Sequence, residues 1–313
     1  VKVMQTLYSQ IEQGDLDLKE AERLLQHSIG KSQELYHLIL QLPSALRHLA
    51  AKRIEIGRTK LRPTAAELNP NTRFADNRLI LQLEENEQLN KCIETEGNTW
   101  SQDETVIKTI FSKMTHSDAY NKYMNAEEDS FEADKAFVVR FLGKELPKMS
   151  FFFQALEFKN VFWNDEAEFM ISMAIKTIKE FDGTNGPSVE LMPLYKDEDD
   201  VEFTKNLLRR SILERDNTME LIKKFSKNWD ADRVALMDVI LIDMAIAEMT
   251  TMVNIPIKVT LNEYIEISKF YSTDKSNSYI NGLLEKIVRQ LVEEKRINEA
   301  QLFYRPRQMT LLR

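Results

Sequence analysis

Apolar residues recur every three or four positions along most of the chain, the spacing that places them on one face of an α-helix. The first such segment ends at Gly14, a typical helix terminator. Residues 17–56 continue the pattern as two further helices, and more helices are predicted at 78–96 and 102–112. We therefore predict an all-α protein.

Loop and capping residues mark the joints between these helices. Residues 63–77 predict a loop, and residues 182–187, Asp-Gly-Thr-Asn-Gly-Pro, give the strongest loop signal in the chain. The acidic run at 197–200 follows it, and acidic residues are favoured at the positive N-terminus of a helix. This run is therefore predicted to cap the next helix.

The C-terminal part of the chain has well-marked joints of its own. Asp230 can cap a helix, and Pro256 interrupts the apolar pattern that follows. Thr260 with Glu263 three residues later is a capping-box arrangement that predicts a helix start. Gly282 is predicted to let two helix backbones approach closely. Together these signals predict a unit of three helices in the C-terminal part of the chain.

Composition narrows the protein class. Eight Gly and eight Pro among 313 residues suit long helices and argue against a glycine-rich phosphate loop. The single cysteine, Cys92, excludes an internal disulfide and suits a reducing cytoplasm. We find no membrane-length apolar run and no signal peptide. The chain begins at Val1 inside an apparent helix, so we expect native residues upstream.

The charge balance is acidic, with a net charge of −8. Residues 229–292 hold six Lys or Arg against nine Asp or Glu, so any nucleic-acid site must be a local patch. Residues 47–62, with six Lys or Arg and one Glu, are the most basic window. That window has two interpretations, a solvated helix end or a phosphate-contacting surface.

Several strings, in order, resemble the NusB family of transcription antitermination factors. They are the helix 238–248, the run Ile-Pro-Ile-Lys-Val-Thr-Leu-Asn-Glu at 255–263, and Ser276 with Tyr-Ile-Asn-Gly-Leu-Leu at 279–284. Gln-Thr-Leu-Tyr at 5–8 resembles the first helix of the family. Several linked matches are more specific than a lone motif.

The resemblance implies a NusB-like helical bundle of two subdomains enlarged by a long helical insertion. The expected divisions are first helices at 1–25, an insertion at 26–198, completing helices at 199–228, a C-terminal subdomain at 229–300 and a tail at 301–313. The tail is predicted to be exposed, basic and disordered.

The insertion also contains an apparent repeat of period 66, with a degenerate copy at 134–180. Asp134, Phe137, Leu142 and Trp163 recur as Asp200, Phe203, Leu208 and Trp229. Duplication and a chance alignment of amphipathic helices are both consistent with it.

The resemblance also implies an RNA site. Matching positions make Lys275, Ser276 and Tyr279 the loop candidates for contacting boxA-type single-stranded RNA, with Lys2 and Gln5 from the first helix. Aromatic rings that stack on bases and cations that contact phosphates are the usual means of binding single strands. For Tyr279, packing against the final helix is the alternative interpretation.

The family's partner is NusE, a ribosomal small-subunit protein, within the RNA polymerase elongation complex. The resemblance makes Tyr8 and Asp238 the candidates for that partner face. Asp243 stands where the family usually has arginine, so the details of this helix are expected to differ.

Enzymatic interpretations find little support. Glu34 and His37 match half of a di-iron motif whose second half is absent, and Cys92 has only Lys91 nearby in sequence to activate it. We therefore predict no catalytic residue, no metal site and no cofactor.

The expected function is non-enzymatic antitermination in ribosomal RNA operons. Two alternatives remain open. One is a helical interaction scaffold that has lost RNA binding. The other is a NusB-like domain related to rRNA methyltransferases, which would need a glycine-rich cofactor fold and a catalytic cysteine downstream, and neither is present up to Arg313.

Overall fold

A computed structural model describes residues 1–14, 16–226, 234–297 and 301. Within them the chain forms α-helices and no β-strand, which confirms the all-α prediction. The helices are α1 (Lys2–Glu12), α2 (Leu18–Arg58), α3 (Ala65–Leu68), α4 (Arg78–Glu85), α5 (Glu87–Glu96), α6 (Glu104–Thr115), α7 (Asp118–Met124), α8 (Phe131–Arg140), α9 (Ser150–Lys159), α10 (Ala167–Glu180), α11 (Glu198–Leu213), α12 (Arg215–Phe225), α13 (Leu236–Thr251), α14 (Ile257–Tyr271) and α15 (Ser276–Glu293). Short 3₁₀ turns lie at Trp100–Gln102, Leu146–Lys148, Val161–Trp163 and Gly186–Ser188, with a π-helical turn at Phe141–Glu145.

The chain divides into two compact units. Unit 1 holds residues 1–27 and 195–313, and unit 2 holds residues 28–194. The sequence had placed the ends of the insertion at 26 and 198. Among the described residues, no helix is both long and apolar enough to cross a membrane.

Unit 1 is organised around α13. Every residue from Asp238 to Met249 is buried, because α1, α11, α12, α14 and α15 all pack against this helix. A helix that is apolar all round is typical of a central position. Its flanking helices are amphipathic and turn their apolar stripes inward, as Leu283, Leu284 and Ile287 of α15 do.

Unit 2 has a core of its own, built on the part of α2 that follows Ser28. Leu35, Leu42 and Leu46 are fully buried there against α4–α10. The prediction of two helices across 17–56 was wrong, because α2 runs unbroken for 41 residues with Pro43 inside it. Burial of one continuous apolar face outweighs the roughly 3 kcal/mol that an internal proline costs an isolated helix.

One capping prediction and one loop prediction need correction. The helix α14 begins at Ile257 after Pro256, and Thr260 is not its cap but a buried residue that donates to Glu248. A true capping box occurs at Thr64 and Glu67, which opens α3 inside the segment predicted as loop. A threonine followed three residues later by a glutamate thus forms a helix cap at Thr64, whereas at Thr260 the threonine makes a buried contact with another helix.

Other joints were predicted correctly. Gly14 has a φ of +73° at the end of the first helix. Asp197 accepts a hydrogen bond from the backbone N–H of Asp200, as the acidic run predicted. Asp182 holds the turn at 182–185 by accepting from the backbone N–H groups of Thr184 and Asn185.

Two predictions lie outside the described residues. They are the cap at Asp230, together with Trp229, and the basic tail at 303–307. The repeat of period 66 stays a prediction, since one of its paired residues is Trp229.

Candidate functional site

A groove of about 420 Å³ lies in unit 1, between the end of α12 and the first half of α15. Its walls are formed by Phe225, Ser226, Asp274, Lys275, Ser278, Tyr279, Gly282, Leu283 and Lys286. Two residues predicted from the sequence, Lys275 and Tyr279, therefore line the same groove.

The groove follows one stripe of α15. Lys275, Tyr279, Gly282 and Lys286 are separated by four, three and four residues, the spacing of a single helical face. Lys275 and Lys286 are exposed, and Tyr279 stands half-buried between them. The ring of Tyr279 is therefore flanked by the ammonium groups of the two lysines.

Gly282 leaves the middle of this stripe without a side chain. A Cβ built on it meets no atom within 4 Å, so the predicted close approach of two helix backbones at this position was wrong. The missing side chain instead leaves open space between Tyr279 and Lys286.

A buried carboxylate fixes the loop that leads into the groove. Asp238 of α13 is 5% exposed and accepts hydrogen bonds from the hydroxyls of Ser272 and Ser276, the latter at 2.9 Å. The Ser276 hydroxyl also accepts from the backbone N–H of Thr273 at 3.2 Å. These bonds tie the turn between α14 and α15 to the central helix and so set the position of Lys275.

The opposite wall comes from the last turn of α12. The hydroxyls of Tyr279 and Ser226 are hydrogen-bonded at 3.0 Å, which holds the tyrosine ring against this wall. Lys224 lies beside it, with Nζ 5.4 Å from the centroid of the Phe225 ring. The groove is therefore locally basic although the chain as a whole is acidic.

The remaining predicted residues lie elsewhere. Lys2 and Gln5 are half-buried on α1, which packs on α11 and α13, and neither lines the groove. Tyr8 of the same helix is 41% exposed. Ser276 and Asp238, predicted as contacts, are both buried and bonded to each other.

Sequence reasoning missed Lys286, Phe225 and Ser226. The spacing from Lys275 through Tyr279 to position 286 could have identified Lys286. Phe225 and Ser226 belong to another helix, and only the packing of α12 on α15 brings them to the groove.

A second buried acid on α13 has no such partners. Asp243 is fully buried, neither carboxylate oxygen has a hydrogen-bond partner, and the nearest cation, Arg215 Nη1, is 3.9 Å away. Burial raises the pKa of Asp243 to about 7. This helix therefore carries an acid in a position that does not satisfy its charge.

Comparison with known proteins identifies relatives of part of the chain. The model of the NusB family matches residues 173–289. The transcription antitermination protein NusB of Salinibacter ruber is 30% identical over 131 residues, covering 40% of this chain and 82% of the relative. Those of Syntrophotalea carbinolica (31% identical; 37% of this chain, 88% of the relative) and Dictyoglomus turgidum (39%; 31% and 67%) are similar. No solved structure matches.

Proposed function

The chain belongs to the NusB family, and on that premise we propose that it is a non-enzymatic transcription antitermination factor that binds boxA-type single-stranded RNA together with NusE. The groove between α12 and α15 would be the RNA-binding site. The protein would act with the RNA polymerase elongation complex on ribosomal RNA operons.

One observation carries the RNA-binding part of this proposal, namely the half-buried ring of Tyr279 between the exposed Lys275 and Lys286. A ring in this position can stack on a base while the two ammonium groups contact the flanking phosphates. The open space over Gly282 leaves room for the next nucleotide.

The buried residues next to the groove take a positioning role in this proposal. Ser276 and Asp238 are inaccessible, so they act by holding the turn that carries Lys275. We therefore propose that Ser276 and Asp238 hold Lys275 in position and do not themselves contact the RNA or the partner.

The first helix supplies the remaining candidates. We propose Lys2 and Gln5 as a second, weaker contact with the RNA, and the exposed Tyr8 as the candidate of this helix for the NusE face. NusE, as a basic ribosomal protein, would be attracted by the acidic balance of the chain.

Titration of a labelled boxA-type oligonucleotide, with and without NusE, tests the proposal. Lys275 and Lys286 line the groove and can neutralise at most two phosphates there, so we expect a salt slope no steeper than about −1.4. Binding should be cooperative with NusE. Failure of the protein to bind this RNA under both conditions would support the alternative of a scaffold without RNA binding.

Two pairs of variants locate the site. Lys275→Glu should weaken binding without unfolding the protein, whereas Lys269→Glu makes the same charge change on the exposed face of α14 and should have little effect. Tyr279→Ala should weaken binding by about 1–3 kcal/mol, the value of one stacked base. Tyr279→Phe keeps the ring, loses the hydrogen bond to Ser226 and should bind RNA normally. Equal losses in both tyrosine variants would contradict stacking and assign the role to the hydrogen bond between Tyr279 and Ser226.

A further inference from the structure

Unit 2 contains a group of side chains that the antitermination function does not use. His37 of α2 faces Cys92 and Glu96 of α5, and one ligand atom of each lies within 4.8 Å of the others. Cys92 and Glu96 are four residues apart and share a face of α5. The sequence predicted no metal ligands, because 55 residues separate His37 from Cys92 and only the packing of the two helices brings them together.

The three residues have different access to solvent. His37 is 3% exposed, Cys92 is half-buried and the side chain of Glu96 is 17% exposed. His37 Nδ1 and Glu96 Oε1 are hydrogen-bonded at 2.7 Å, whereas Glu96 Oε2 is buried and has no hydrogen-bond partner. An unpaired carboxylate oxygen is costly unless something else binds it.

Neighbouring contacts hold the two helices at this spacing. Buried Asn86 caps the start of α5 and donates to the carbonyls of Gly186 and Val189. At the other end of α5, Gln41 donates to the carbonyl of Asn98 at 3.1 Å, one helical turn beyond His37. The three side chains therefore project from a fixed frame.

We propose that His37, Cys92 and Glu96 form a binding site for a divalent transition metal, with zinc the best fit. Thiolate, imidazole and carboxylate are the three ligand types of zinc, and a water molecule would complete a tetrahedral set on the solvent side. Harder cations such as Mg²⁺ prefer oxygen ligands and would not use the thiol.

Binding requires a small rearrangement and the release of one proton. Tetrahedral zinc holds its N and O ligands about 3.4 Å apart, so the 2.7 Å contact of His37 with Glu96 must open by less than 1 Å. Rotation of the terminal carboxylate, which would present Oε2, accommodates this change. The proton on His37 Nδ1 would move to Nε2 of the imidazole, and the proton of the Cys92 thiol would be released to solvent.

Cys92 offers a selective measurement because it is the only cysteine in the chain. Full-length protein, stripped with a chelator, is titrated with Zn²⁺ while a maleimide reagent alkylates the thiol. At free zinc about ten times the dissociation constant, the rate of alkylation should fall roughly tenfold, because only the metal-free fraction reacts. Co²⁺ in place of Zn²⁺ should give a thiolate-to-cobalt absorption band in the near ultraviolet.

Matched variants separate this site from surface binding. Cys92→Ser and Glu96→Gln should abolish stoichiometric binding, measured by competition with a chromophoric chelator. His48→Asn removes an exposed histidine from the same helix and should leave binding unchanged. Cys92 is half-buried and serine is close to it in size, so Cys92→Ser should fold. It keeps the test informative even if His37→Asn fails to fold.

The outcomes are distinct. One equivalent of Zn²⁺ that protects Cys92 and is lost in Cys92→Ser supports the site. Weak binding of several equivalents, unchanged in Cys92→Ser, or unchanged alkylation at saturating zinc, would overturn it. The pair His37–Glu96 would then be an ordinary buried hydrogen bond.

Discussion

Asp243→Asn should change the pH dependence of stability in a calculable way. Asp243 is fully buried on α13, and among the described residues Arg215, at 3.9 Å, is the cation beside its carboxylate. Burial raises the pKa of Asp243 from 3.8 to about 7. The folded state therefore binds a proton that the unfolded state releases, and stability is lost as pH rises from about 4 to about 7.

The size of the effect follows from linkage. Each unit of pH between the two pKa values costs about 1.4 kcal/mol, so the total loss is about 4 kcal/mol above pH 7. Part of this loss has already occurred at pH 5, which leaves about 3 kcal/mol to be lost between pH 5 and pH 8. Asparagine is close in shape and cannot ionise, so the variant should lack this loss.

Calorimetric unfolding of the wild type and Asp243→Asn from pH 5 to pH 8 measures the effect. The unfolding free energy of Asp243→Asn minus that of the wild type should rise by about 3 kcal/mol from pH 5 to pH 8. Any difference between the two proteins that does not depend on pH cancels in this comparison. Asp216→Asn on α12 removes an exposed carboxylate nearby and serves as the control. A difference between variant and wild type that does not change with pH would refute the reasoning.

Three further substitutions test the structure of unit 1. Tyr264→Phe removes the hydroxyl that donates to buried Glu248 at 2.9 Å and should lower the unfolding free energy by about 1–3 kcal/mol, measured by urea denaturation. Gly282→Ala should raise it by about 0.5–1 kcal/mol, because the new methyl group meets open space; a loss would restore the close-approach interpretation. Ser276→Ala leaves Asp238 short of a donor and should cost about 1–3 kcal/mol. Its RNA affinity should fall less than that of Lys275→Glu, and a larger fall would indicate a direct contact.

Local chemistry made some features of this fold predictable. Gly14 and Asp197 fix helix ends through contacts within a few residues, and the sequence contains everything that such contacts need. The same holds for the groove stripe, since Lys275, Tyr279 and Lys286 share one helix.

Features that depend on packing could not be read in the same way. Thr260 followed by Glu263 has the pattern of a cap, but the hydroxyl of Thr260 finds the buried Glu248 of another helix at 2.7 Å. Asp238 and Ser276 were predicted as contact residues, but their burial and the hydrogen bond between them are tertiary properties. His37 was considered only with its helical neighbours, and its partners Cys92 and Glu96 come from a distant segment.

Residues of unit 1 that flank the segment 28–194 contact each other. Tyr195, where the chain returns, donates from its hydroxyl to Gln26 at 3.3 Å, and Arg209 of α11 forms an ion pair with Glu22 of α2. The chain therefore leaves and re-enters unit 1 at neighbouring points. A segment inserted between neighbouring points can form its own core without disturbing the host. The groove is built from α12, α15 and the turn before α15, all after the return, so the inserted unit could acquire a role of its own while those elements kept theirs.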